Sequence, residues 1–330
     1  MTLAVITGAS GLLGSNLAAE LRARKVHVRA VRRPTTKVDH LADLDIEWVY
    51  GDLDDYPSLE NACRGADVVF HCAAVVGVTP RVTPALRKAN IEGTGMLFAA
   101  ARKAKVGRVV HVSSVTAVGL STDGRPVGED ARWNFPDYGL DDGYAISKHQ
   151  AEQLAHAAAR HDLDAVIVNP AFMLGPRDAR PSTGQMILQI VKGRAPVWTP
   201  GYNNFVDVRA VARGCVLAWE RGQRARRYIL GGENLSYREA FTRIAKIAGV
   251  SPPRLPAPRL ATMAVGWLGD AYQVITGREP VINSVAARYA YSDRFQFSSA
   301  RAEAELGYRA GSFDTAIGDA LAWFRARGMV

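Results

Sequence analysis

Ile6-Thr7-Gly8-Ala9-Ser10-Gly11-Leu12-Leu13-Gly14 carries three glycines at intervals of three, directly behind the short apolar run 3–6. The run reads as a strand. The residues after it read as a helix, because Leu13, Leu17 and Leu21 recur at spacing four. Between two such elements each glycine has a physical use. The first permits a tight turn, the second lets a pyrophosphate approach the backbone, and the third lets helix and strand pack closely. Amide groups at the helix start then face the anion, aided by the helix dipole. An ordinary strand–helix turn would also tolerate glycines, so the reading depends on the rest of the chain.

Beyond the glycines the pattern alternates. Apolar, β-rich runs recur at 26–31, 46–50, 68–71, 109–112 and 165–168, with helical patterns between several of them. Val/Ile runs without polar alternation suit strands buried on both faces. Repeated strand–helix units predict a doubly wound parallel sheet with helices on both faces, an α/β fold. After Pro170 the rhythm breaks, and Gly and Pro are frequent from 170 to 201. A helix is expected over about 208–220, and Ser236-Tyr-Arg-Glu239 reads as a capping box opening another. Residues 251–258 read as an extended, Pro-rich connector, and 260–275 as a fairly apolar helix that packs lobes together, lines a pocket or touches a membrane surface. The expected plan is a nucleotide-binding domain, 1–170 plus about 205–231, and a smaller, mostly helical, discontinuous substrate lobe, 171–204 and 232–330.

Composition narrows the classes. The 330 residues are 48% hydrophobic and 22% charged, with no apolar run long enough to span a bilayer. The first nine residues are too short and uncharged for a secretion signal. Three cysteines, Cys63, Cys72 and Cys215, show no CxxC spacing and fit reduced thiols in a cytoplasm. The seven histidines show no metal-ligand spacing, so no metal is expected. The net charge of +9 comes from scattered Arg and Lys, densest at Arg221, Arg224, Arg226 and Arg227. That scatter argues against a nucleic-acid surface, whereas a nucleotide cofactor would itself use some of the charge.

The end of the second run separates cofactors. An acid there would hold the 2′-hydroxyl of NAD, but the chain reads Val28-Arg-Ala-Val-Arg32-Arg33-Pro, with Lys37 beyond. Guanidinium groups suit a 2′-phosphate, so NADP(H) is favoured and NAD(H) is the other possibility. Asp52, after the third run, either bonds the adenine or caps a turn. Tyr144-Ala-Ile-Ser-Lys148 puts a phenol and an amine on one helix face. An ammonium beside the phenol favours tyrosinate and makes it a usable acid and base near neutrality.

Taken together these motifs resemble the short-chain dehydrogenase/reductase superfamily in its extended form. The resemblance rests on Thr7-Gly-Ala-Ser-Gly-Leu-Leu-Gly14, Gly51-Asp52-Leu53, His71-Cys-Ala-Ala74, Asn90-Ile-Glu-Gly-Thr94, Val112-Ser-Ser114, the Tyr144/Lys148 motif, Asn169-Pro-Ala-Phe-Met-Leu-Gly-Pro176 and the segment 300–308. It covers nearly the whole chain and implies a Rossmann domain. It implies cofactor contacts from Gly8, Ser10, Gly11, Leu12, Leu13 and Gly14, then from Arg32, Arg33 and Lys37. It adds Asp52 and Leu53, Ala73 and Ala74, Val112, and Pro170 beside the nicotinamide. Ser114 would hydrogen-bond the reacting oxygen, with Ser113 the lesser candidate. Tyr144 would transfer the proton, and Lys148 would hold the nicotinamide ribose and tune Tyr144. Asn90 would belong to the active-site architecture, or else simply cap a helix.

Within the superfamily the sequence is most similar to the dihydroflavonol-reductase-like branch, whose members reduce ketones or aldehydes with NADPH. A substrate-binding asparagine of the plant flavonoid reductases is replaced here by Gly119, which argues against a flavonoid. The implied activity is an NADPH-dependent ketoreductase. The alternatives are an NAD-dependent sugar-nucleotide epimerase and a non-catalytic NADP-sensing protein. Candidate walls for an apolar substrate are Val75, Val76, Phe172, Met173, Met186 and Tyr202, with Trp198 and Phe205. For any single one of these, ordinary core packing is the preferred reading. Asn203 and Asn204 orient a polar group or form a turn. The resemblance also implies a homodimer through helices near 90–103 and 144–160.

Overall fold

A computed structural model describes residues 2–277 and 282–330; Met1 and residues 278–281 of the expected second lobe lie outside the described residues. The chain runs β1 (Leu3–Thr7), α1 (Leu12–Ala23), β2 (His27–Arg32), β3 (Glu47–Tyr50), α2 (Tyr56–Cys63) and β4 (Val68–His71). It continues through the single turn α3 (Pro84–Leu86), a π-helical segment (Arg87–Glu92), α4 (Gly93–Lys103), β5 (Arg108–Val112), α5 (Gly143–His161) and β6 (Ala165–Pro170). Then come β7 (Phe172–Leu174), α6 (Gln185–Val191), β8 (Val197–Trp198), β9 (Tyr202–Asp207), α7 (Val208–Arg221), β10 (Arg227–Leu230) and β11 (Glu233–Ser236). The last part holds α8 (Tyr237–Ala248), β12 (Leu255–Pro256), α9 (Arg259–Thr276), α10 (Ser284–Tyr289), α11 (Ala300–Leu306) and α12 (Phe313–Ala326).

Seven strands form one sheet in the order β10-β6-β5-β4-β1-β2-β3, and every pair in it is parallel. Its two faces are covered, as the unbroken apolar strands required. Ala4 and Ile6 of β1 face a core shared with Leu17 and Leu21 of α1 and Val211 of α7. Val5 points the other way, into a core with Leu59 of α2, Leu97 of α4 and Ala155 of α5. Strand order reverses between β1 and β4, so a crevice opens beyond their carboxyl ends. A smaller sheet, β11-β9-β7, and helices α6, α8 and α12 share a third core around Phe205, Ile244 and Phe324. The capping box at the start of α8 forms in both directions between Ser236 and Glu239.

Candidate active site

The crevice begins at the glycines. Gly8 adopts φ +75°, and a Cβ there would sit 2.7 Å from the Ala73 backbone after β4. A Cβ on Gly14 would lie 2.2 Å from the Gly8 carbonyl oxygen. The outer two glycines are therefore fixed by packing, whereas at Gly11 the nearest atom to an added Cβ, the Gly8 carbonyl oxygen, would be 3.4 Å away. The groove so formed holds about 410 Å³ and is bordered by Gly8, Ser10 and Gly11, by Arg32 and Arg33, by Asp52 and Leu53, and by Ala73, Ala74 and Val75. The Leu13 side chain packs in the core and that of Leu12 is half-buried, so what these two can offer the groove is their backbone amides. Lys37 is exposed, and Thr36 is the residue of this loop that borders the groove beside Arg33. Sequence reasoning missed Asp54 and Lys88, which form an ion pair at the groove edge.

Arg32 is held in place before any ligand arrives. Its guanidinium lies 5.1 Å from the Tyr50 ring centre and 5.5 Å from that of Trp48, and Nη2 donates to the Tyr50 hydroxyl at 3.3 Å. Its buried Nε finds no acceptor. Asp52 Oδ1 accepts from the amide of its neighbour Leu53 at 2.7 Å, and both residues border the groove.

Beyond the groove, Asp142 caps α5 by accepting from the Ala145 amide at 2.8 Å. This fixes the helix that carries Tyr144 and Lys148. The Tyr144 phenol lies near the Ser114 hydroxyl, just past the end of β5. Ser114 Oγ also accepts from the Thr116 amide at 3.2 Å and the Thr116 hydroxyl at 3.0 Å. Lys148 is buried and donates from Nζ to the Val112 carbonyl at 2.8 Å. Burial pushes its pKa down to about 8, against the opposing pull of Glu152. Burial also pushes the Tyr144 phenol up to about 12, with the nearby Ser114 hydroxyl acting the other way. The expected lowering by Lys148 is absent, because that ammonium is spent on Val112 and faces Glu152 and Cys72.

A buried polar lattice supports these groups. Glu152, one turn beyond Lys148 on α5, accepts from Ser113 Oγ at 2.5 Å, Asn169 at 2.6 Å and Arg227 at 2.9 Å. Ser113 is thus occupied, which leaves Ser114 as the hydroxyl beside Tyr144. Asn90 lies inside the π-helical segment, so it caps no helix entry. Its amide clamps both backbone groups of Val75, at 2.7 and 2.9 Å, and donates to Ser147 of α5 at 3.0 Å. Thr94 donates to the Asn90 carbonyl at 2.7 Å, so it must accept from His71 Nε2 at 3.0 Å. His71 Nδ1 then accepts from Thr7 at 2.8 Å, and Thr7 Oγ1 accepts from the Ala73 amide at 3.3 Å. Burial pushes His71 down to about 3, which keeps it in this neutral form. The glycine turn, the Ala73 loop and α5 are therefore tied by one chain of hydrogen bonds.

The substrate-wall candidates divide. Val75 is exposed at the groove, and Val76 beside it is exposed. Phe172 lies against Phe205, ring centres 5.4 Å apart, and both belong with Met186 to the third core. Met173 packs on the first core. Trp198 lies under Arg238 at 4.9 Å, and Tyr202 is half-buried in β9. Asn203 donates to the Tyr237 hydroxyl and Asn204 to Gly232 and Asn234, so both are structural bonds. Pro170 is buried at the end of β6.

The profile of the NAD dependent epimerase/dehydratase family matches residues 4–231. A Synechocystis sp. protein with a provisional dihydroflavonol 4-reductase description is 34% identical, over 98% of this chain and 95% of its own. "Sterol demethylase protein B" of Methylococcus capsulatus is 35% identical, over 99% of each. The crystal structure of a nucleoside-diphosphate-sugar epimerase from Pseudomonas aeruginosa superposes with TM-score 0.82, at 28% identity and 99% of both chains. The chain thus belongs to the NAD dependent epimerase/dehydratase family, the extended short-chain dehydrogenase/reductases, and is an NAD(P)-dependent oxidoreductase.

Proposed function

We propose that this protein is an NADPH-dependent reductase of a ketone or aldehyde on an apolar or aromatic small molecule, running in reverse as an alcohol dehydrogenase. The observation that carries the reading is the Ser114–Tyr144 hydroxyl pair at the end of β5. Residues 1–170 with about 205–231 form the cofactor domain, and 171–204 with 232–330 form the substrate lobe. The cofactor fits the groove: the turn at Gly11 leaves room for a pyrophosphate, and Arg32 offers a fixed cation with a buried, unpartnered N–H. Ser10, Leu12 and Leu13 supply amides at the helix start, Arg33 adds charge, and Asp52 and Leu53 border the adenine end. Ala73 and Ala74 border the middle, and Val112, Pro170 and Lys148 lie toward the nicotinamide end. When bound, NADPH supplies a hydride to the carbonyl carbon. Ser114 donates a hydrogen bond to the carbonyl oxygen as negative charge grows there, and Tyr144 gives that oxygen its phenolic proton, completing the alcohol. Asn90 is a positioning residue that holds Val75 against α5.

Two observations support the apolar substrate: Val75 stands exposed at the groove with Val76 exposed beside it, and a relative is named for sterol chemistry. The alternatives are NAD-dependent epimerisation of a sugar nucleotide, supported by the Pseudomonas structure, and a non-catalytic NADP sensor. Following nicotinamide absorbance with a panel of ketones and aldehydes tests the choice. Oxidation of NADPH by apolar carbonyls is the expected result. Tightly held NAD without net oxidation supports an epimerase, and tight NADPH without turnover on any carbonyl supports a sensor.

Arg32→Ala is expected to weaken NADPH by about 10–100-fold, the worth of a charge-assisted contact, and NADH by much less. Titration of both cofactors by fluorescence checks this, and an unchanged NADPH/NADH ratio rejects the 2′-phosphate contact. A pH effect comes from Lys148. Its ammonium is intact below about 8 and is lost as pH rises through that value. NADPH affinity is therefore expected to fall severalfold across that range. Lys148→Met is expected to abolish this alkaline limb, and its persistence in the variant assigns the limb to another group.

In the same proposal the protein is a homodimer through α4 and α5, whose outer surface exposes Leu154.

A further inference from the structure

Helix α9 is inside out. At 100° per residue, Thr262, Met263, Gly266, Gly269, Asp270 and Gln273 fall on one half of the helix. That half faces inward: Gly266 and Gly269 are buried, and Asp270 accepts from the Ser284 amide of α10 at 3.2 Å. A Cβ on Gly266 would lie 2.9 Å from the Asn283 carbonyl, so α9 and the start of α10 touch backbone to backbone. The other half is apolar and faces outward. Leu260, Trp267, Leu268, Val274 and Ile275 are each at least 62% exposed. A surface helix normally turns such a stripe inward, and a contiguous exposed patch of this kind marks an interaction site.

Charge identifies the occupant. The only acid of α9, Asp270, is turned inward. Arg254 and Arg259 at the leading end and Arg288 on α10 are exposed, with no ion pair among the described residues. Leu255, 67% exposed, continues the apolar surface beside Arg254. Apolar side chains rimmed by free arginines match the boundary of an anionic lipid bilayer, where acyl chains lie just beneath the headgroup charges. No helix among the described residues is long and apolar enough to cross a membrane, so α9 lies on the surface rather than spanning it.

The patch adjoins the candidate active site. Asn283, which caps α10, donates to the Val78 carbonyl in the exposed loop that carries Val75 and Val76. Tyr289 of α10 donates to the Leu140 carbonyl at 2.8 Å, two residues before Asp142, the cap of the Tyr144 helix. We propose that α9, with Leu255 and the Arg254/Arg259/Arg288 rim, docks the protein on anionic membranes, presenting the crevice to carbonyl substrates dissolved in the lipid. The choice of lipid-borne substrates rests on the apolar-substrate reading; the docking itself does not.

Co-sedimentation with vesicles of phosphatidylcholine alone, and with about one third phosphatidylglycerol, tests it. The protein is expected to bind the anionic vesicles at least about tenfold more tightly than the neutral ones, and raised salt is expected to weaken that binding. The double variant Trp267→Glu with Leu268→Glu is expected to lose at least about tenfold in binding, with unchanged turnover of a water-soluble carbonyl. If the double variant does not fold, the lipid and salt dependence of the unaltered protein decides alone. No binding to either vesicle, or equal binding to both, overturns the proposal. So does a dimer in solution that the double variant converts to monomer, since a second copy would then cover α9. Vesicle binding without turnover of any carbonyl would leave the docking standing and remove the reductase reading.

Discussion

Tyr144→Phe is expected to cut carbonyl turnover by about 10³-fold or more while NADPH still binds with nearly normal affinity. A positioned general acid is worth roughly 10²–10⁴ in rate, and the neighbouring Ser114 hydroxyl is needed as a hydrogen-bond donor to the same oxygen. The phenol is pushed up to about 12 by burial, so it is protonated throughout the neutral range and ready to give its proton in reduction. The reverse reaction needs the phenolate, so alcohol oxidation should accelerate as pH rises toward that value. Removing the hydroxyl leaves the ring and the Asp142 cap in place. Stability should therefore change by no more than about 1 kcal/mol, the net worth of one hydrogen bond. Single-turnover absorbance with saturating NADPH measures the effect. A variant within tenfold of the unaltered protein would remove Tyr144 from the chemistry.

Arg227→Ala is expected to destabilise the fold by about 3–5 kcal/mol, because it strands a buried carboxylate. Glu152 is fully buried, and Arg227 is the cation that touches it, at 2.9 Å. The same guanidinium donates to the carbonyls of Glu129 and Ala131, at 2.7 and 3.1 Å. Burial pushes Glu152 upward, but hydrogen bonds and charge from His156, Arg227 and Ser113 hold it below the usual carboxylate range. A depressed carboxylate contributes stability above its unfolded pKa, and that contribution is lost as pH falls through the folded value. Adding Glu152→Gln to Arg227→Ala should recover part of the loss, since the stranded charge is then gone. Urea unfolding of the single and double variants reads this out. A loss under about 1 kcal/mol in Arg227→Ala would mean that Glu152 is satisfied without it.

The residues legible in the sequence are those whose geometry is local. Gly8, Gly11 and Gly14 reveal themselves through spacing in a strand–helix turn. Tyr144 and Lys148 share a face of α5 because spacing four requires it. The parallel sheet is legible in Val/Ile runs that do not alternate, and its strand order places Gly8 against Ala73. What spacing cannot encode is partnership across the fold. Glu152 and Arg227 are 75 residues apart, and nothing local pairs them. Spacing alone directs Lys148 at Tyr144, its neighbour on the helix, but its ammonium bonds Val112 of β5 instead. Phe172 and Phe205 have the composition of a pocket wall and form core, because an aromatic in a short strand carries no mark of which side it faces. Helix α9 shows the converse: its periodicity is plain in the sequence, but the outward direction of its apolar half is not.

The central claim is that the Ser114 and Tyr144 hydroxyls meet one substrate oxygen beside a nicotinamide whose adenosine end is held by Arg32. A crystal structure with NADP⁺ and an apolar ketone tests it most directly. The account predicts both hydroxyls within hydrogen-bond distance of the ketone oxygen, about 3 Å, and the 2′-phosphate against the Arg32 guanidinium. A ketone oxygen bound away from Tyr144, or a 2′-phosphate that leaves Arg32 on Tyr50 without contact, would contradict it.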